Sequence, residues 1–82
     1  MKAREVRFNR TKGSAFGEGE TVEYTNPYGE MLAYIDYLQD GTAVATVYKP
    51  YKQGCKEYSA RPKDAAENIV KRHIAREGYE LP

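Results

Sequence analysis

The stretch MLAYIDYLQDGTAVATVY, residues 31–48, sets Asp40-Gly41 between two apolar runs. Asp-Gly is a favoured pair for a two-residue type I′ hairpin turn, and the branched residues of TAVATVY belong in a strand. A hairpin closed at Asp40-Gly41 would pair Leu38 with Ala43, Asp36 with Ala45 and Tyr34 with Val47 on one face. The other face would take Tyr37 with Val44, Ile35 with Thr46 and Ala33 with Tyr48. Residues 27–40 also admit a helix, because Met31, Leu32, Ile35 and Leu38 recur at helical spacing and Gly41 would cap it. The hairpin is the expected form, since both of its faces make chemical sense.

The flanking segments suit that hairpin. In REVRF, Val6 and Phe8 alternate with Glu5 and Arg7, the pattern of a short half-buried strand. TVEYT is a second strand, and NPYG after it fits a type I turn with Pro27 and Gly29 at its second and fourth positions. The intervening TKGSAFGEGE is a loop. Its G-x-G lacks a third glycine and a following helix, and carries acids where a phosphate would sit, so it is no phosphate cradle. CKEYSA is a short strand, and RPKDAAENIVKRHIAREGY is a helix. Pro62 suits its first turn, Asp64 with Glu67 fits a capping box, and Gly78 stops it. Ala66, Ile69, Val70, His73 and Ile74 form its apolar stripe. The expected fold is α+β: an antiparallel sheet of about four strands with one C-terminal helix packed on one face.

At 82 residues the chain makes one domain, 1–82, with few aliphatic core residues, two Phe, no Trp and eight Tyr. One helix covers one face of a sheet. If Leu38, Tyr34, Val47, Ala43 and Ala45 lie beneath it, the opposite face carries Met31, Ile35, Tyr37, Val44, Thr46 and Tyr48. Tyrosine tolerates such half-exposure, its ring packed and its hydroxyl wet, and it is enriched at protein interfaces. Tyr37 and Tyr48, with Tyr51 in the K-P-Y-K-Q-G loop and Asp36 amid apolar residues, are the candidate protein-binding residues. Asp36 is expected to face Lys49, a backbone donor or a partner.

The net charge of +1 conceals blocks. Residues 1–12 hold five bases against Glu5, residues 13–40 hold six acids and no base, and residues 49–63 hold five bases against Glu57. A dedicated nucleic-acid binder is usually basic overall. Nothing assembles an active site. His73, the single histidine, sits on the apolar stripe as a packed residue; Cys55 has no histidine near it in sequence; Asp36 lacks a partner for acid–base work. No enzyme activity, metal or cofactor is expected. A lone cysteine excludes an internal disulfide, and no apolar segment approaches a membrane span or a leader, so a cytoplasmic location is expected.

In compactness, blocked near-neutral charge, abundant tyrosine and missing enzymology, the chain resembles the small single-domain inhibitors of phages and mobile elements, anti-CRISPR proteins among them. The resemblance is one of type. It implies cofactor-free action in a host cytoplasm, by docking on a larger host protein complex and blocking it; the sequence leaves monomer and homodimer both open. A second resemblance points elsewhere: GCKEYSARPKDAAENIVK is similar to the final strand and helix of double-stranded-RNA-binding domains. It implies phosphate contacts from Arg61, Lys63, Lys49, Lys52 and Lys56. The chain departs from that family in opening with a strand and in placing Asp64 where lysine is expected.

Overall fold

The computed structural model describes residues 1–49 and 54–82. Tyr51 and Lys52, two of the candidate residues, lie outside the described residues. The elements run β1 (Arg4–Arg10), β2 (Gly19–Thr25), β3 (Met31–Tyr37), β4 (Thr42–Tyr48), β5 (Cys55–Glu57), β6 (Arg61–Pro62) and α1 (Lys63–Arg76). The strands form one antiparallel sheet in the order β1-β2-β3-β4-β5, with β6 also pairing β4. The expected α+β architecture is therefore present, with residues 31–37 a strand and not a helix. The last strand is split in two. β5 pairs Thr46–Tyr48 and β6 pairs Thr42 and Ala43, while the Tyr58 amide between them donates to the Ala45 carbonyl.

The β3–β4 register differs from the expected one by a single residue. Tyr37 faces Ala43, Ile35 faces Ala45 and Ala33 faces Val47. The connection is three residues long, not two. The Gly41 amide donates to the Leu38 carbonyl, the Leu38 amide donates to the Thr42 carbonyl, and Gly41 takes a φ of 89°. This is the hydrogen-bond pattern of a turn followed by a left-handed glycine bulge. Residues 26–30 repeat it: Gly29 donates to Asn26, Asn26 donates to Glu30, and Gly29 has a φ of 88°. Because strand side chains alternate, one extra loop residue exchanges the faces of β3 relative to β4. Ile35 and Tyr37 lie on the helix side, and Tyr34 and Asp36 lie opposite, the reverse of the expected placement. The assignment for β4 holds: Ala43, Ala45 and Val47 face the helix, while Val44, Thr46 and Tyr48 face away.

The helix packs over β3 and β4. Ala66, Val70, His73 and Ile74 are its buried residues, and Ala43, Ala45 and Ala66 are fully enclosed, so small side chains allow close approach. Val22, Tyr24, Leu32, Ala33, Ile35 and Val47 complete this core. No capping box forms. Pro62 is the N-cap residue, and no side chain caps the helix, which leaves Asp64 in the first turn without that role. The stop is as expected. The amides of Gly78 and Tyr79 donate to the carbonyls of Ala75 and Ile74, a Schellman closure that brings Tyr79 against the core. Ala3 and Glu80 then donate to Glu80 and Met1 respectively, tying the two ends of the chain together.

Candidate functional site: the uncovered face of the sheet

The face away from α1 is built by register. One row runs Phe8, Thr21, Asp36, Val44, and the next runs Val6, Glu23, Tyr34, Thr46, Glu57. Beyond them Tyr48 lies opposite Cys55. The Tyr34 and Tyr48 rings, both half-buried, sit with centroids 6.1 Å apart at a tilt of 45°. Burial raises the Tyr48 hydroxyl above its ordinary pKa, and the neighbouring Tyr34 adds to the effect. At the β1 side, Val6 and Phe8 are 50% and 44% exposed, large values for apolar side chains. Together they give an aromatic and aliphatic surface that no helix covers.

The interior of this face is polar and closed. Arg10 reaches across Gly19 and engages its guanidinium donors fully: Nε with the Gly17 carbonyl, Nη1 with the Glu20 carbonyl and Thr21 Oγ1, Nη2 with the Glu18 and Tyr37 carbonyls. Asp36 Oδ1 lies 3.6 Å from Nη1 and accepts from the Thr21 hydroxyl at 2.8 Å. A Cβ at Gly19 would collide with both the Arg10 guanidinium and the Tyr37 carbonyl, so only glycine fits there. Asp36 is thus 5% exposed and paired with Arg10, two strands away. It does not face Lys49 and presents nothing to a partner. Its oddity in the sequence was real, but marked a buried ion pair.

Tyr37 also leaves the candidate surface. It lies on the helix side, in a cleft of about 570 Å³ lined by Arg7, Glu20, Tyr24, Lys63 and Glu67 among others. Lys63 Nζ stands 5.9 Å from its ring. Burial, reinforced by Glu67, pushes its hydroxyl far above the ordinary tyrosine range. Burial and the adjacent Glu5 carboxylate push Tyr24 up to about 12. Arg7 in this cleft is already bridged to Glu5 at 3.1 Å and Glu20 at 2.9 Å.

Among the described residues, the basic candidates Lys49, Lys56 and Arg61 lie toward the opposite edge. Lys49 is exposed and its amide donates to Gly54, closing the hairpin. Lys56 and Arg61 flank the Tyr58 ring at 4.7 and 5.2 Å, and Lys63 opens α1. Cys55 is an exposed free thiol, and His73 is buried. Among the described residues no group of three or more histidine, cysteine or acidic side chains could hold a metal, and no helix is long and apolar enough to cross a membrane. Of the aromatic candidates among the described residues, only Tyr48 stands on the uncovered face. Tyr34, Val6 and Phe8, absent from the sequence-based set, join it; the Val6–Phe8 alternation was visible in the sequence, but its exposure was not. No family model, curated protein or solved structure matches this chain.

Proposed function

We propose that this chain is a non-enzymatic binding module that docks on a larger protein through the uncovered sheet face, with Tyr34 and Tyr48 as its central contacts. The observation that carries the reading is the coincidence, on the one face without a helix, of a tyrosine pair with exposed Val6 and Phe8. Tyrosines with part-buried rings and wet hydroxyls are frequent binding hot spots, because the rigid ring loses little entropy on association. The type resemblance to phage and mobile-element inhibitors supports blocking of a host complex as the consequence of docking. The unpaired Cys55 thiol suits action in a reducing cytoplasm.

A nucleic-acid reading has one observation in its favour, the basic pair Lys56 and Arg61 about Tyr58. The two are separated by capture from cell lysate with and without nuclease, using two variants. Replacing Tyr34 and Tyr48 with alanine is expected to weaken capture roughly thirtyfold, about 2 kcal/mol, while the fold survives. Replacing Lys49, Lys52, Lys56 and Lys63 with glutamine is expected to change mainly the association rate at low salt. Capture that is lost on nuclease treatment and with the lysines, but keeps its strength without the tyrosines, rejects protein docking.

A further inference from the structure

We infer that the outer edge of β1 pairs with the same edge of a second copy of this chain, making one continuous sheet across a two-fold axis. Both readings use the exposed Val6 and Phe8, but this one is argued from the backbone edge of β1 and its side-chain register.

The sheet order begins at β1, and no described strand pairs with its outer side. Seven residues long, β1 is a full-length edge, and every residue from Arg4 to Asn9 is exposed. Such an edge presents a row of unpaired amides and carbonyls, a template for strand addition. Most soluble domains blunt an edge of this kind with charged side chains, a proline or a bulge. β1 has neither a proline nor a bulge, and its ladder with β2 is regular from Arg4 to Arg10. Its charges are Arg4, Arg7 and Arg10 against Glu5, so the edge accepts a second copy only in a register that sets Glu5 opposite an arginine.

An antiparallel, two-fold symmetric pairing sets residue i opposite residue j on the same face, so i and j must sum to an even number. Centring on Arg7 would set two arginines face to face, and centring on Glu5 would do the same with two glutamates. Centring on Val6 avoids both. Val6 then meets Val6 of the second copy, and each Phe8 meets the other copy's Arg4, a cation beside an aromatic ring. On the opposite face each Glu5 meets the other copy's Arg7, giving two facing ion pairs. Cross-strand pairs of these kinds each favour the register modestly, and like charges directly opposite oppose it. Val6 and Phe8, two of the exposed apolar side chains, are flanked by the second copy in this register. Because the axis is perpendicular to the sheet, both helices stay on one side, and the two uncovered faces join into one surface.

Sedimentation equilibrium on the full chain tests the proposal. The wild type is expected to show a concentration-dependent mass rising to that of two chains. Val6→Lys, at a half-exposed position that the fold does not need, is expected to raise the dissociation constant at least tenfold. Glu5→Arg alone and Arg7→Glu alone are each expected to do the same, since each sets like charges opposite one another. An equimolar mixture of those two single variants is expected to regain the dimer, because each restores the other's missing charge. Circular dichroism confirms that each variant is folded. A single-chain mass up to the solubility limit overturns the inference, as does a dimer indifferent to Val6→Lys or a mixture that fails to reassemble.

Discussion

The two faces of this sheet are closed by opposite means, although β4 contributes to both. On the helix side Ala43, Ala45 and Val47 meet Ala66, Val70 and Ile74, and closure comes from apolar packing at short range. On the other side Asp36 and Thr21 are buried without any helix above them, because Arg10 and the carbonyls of residues 17, 18 and 20 enclose them. Apolar packing tolerates many sequences of the right volume. A buried guanidinium with every donor engaged tolerates one arrangement, because any slip leaves a charge unpaired. The helix side holds the apolar core, while the Arg10 cluster fixes how β1, the glycine loop and β3 meet.

The largest test attacks the packed side. Val70→Asp places an uncompensated charge among Ala and Ile side chains and is expected to cost more than about 4 kcal/mol, abolishing cooperative thermal unfolding. Retention of the wild-type melting temperature would show that α1 does not pack through this stripe.

On the polar side, Arg10→Met strips Asp36 of its counter-charge and leaves several carbonyls unpartnered. A loss of about 3 kcal/mol is expected in urea titration. Asp36→Asn should cost less, since the Arg10 guanidinium keeps its carbonyl partners. Equal losses for the two variants would mean that the carboxylate, and not the carbonyl cage, holds the cluster together.

A smaller effect distinguishes the helix side in alkali. Tyr24 ionises at about 12 in the fold against an ordinary 10.0, so between these values the folded chain holds a proton that the unfolded chain has lost. The neutral hydroxyl's contribution is fully present below pH 10.0 and is lost as pH climbs toward about 12. Tyr37 shifts in the same direction. Tyr24→Phe is therefore expected to flatten the decline of the melting temperature above pH 10.0. An unchanged slope would rule out a contribution from Tyr24.

The smallest test concerns Thr46, whose hydroxyl is buried on the uncovered face without a partner among the described residues. Thr46→Val removes an unsatisfied polar atom at nearly constant shape, and a gain of about 1 kcal/mol is expected. A loss would show that the hydroxyl finds a partner in solution.

Much of this molecule was determined by local sequence. Pro27 and Gly29, Asp40-Gly41 and Gly78 place the turns and the helix end, because few residues accept the backbone angles required there. The stripe Ala66, Val70, His73 and Ile74 fixes which side of α1 is buried, because a helix repeats every 3.6 residues whatever lies beneath it. The alternation in β4 is equally local. Only the tertiary structure decided which face of β3 joins it. A two-residue and a three-residue loop at Gly41 are both open to the same Asp-Gly signal, yet they send Tyr37 and Asp36 to opposite sides. The choice is settled by distant partners. Ile35 gains the helix, and Asp36 gains Arg10 from a strand early in the chain. Pairings between such remote residues leave no trace in local propensity, and the surface left for binding follows from them.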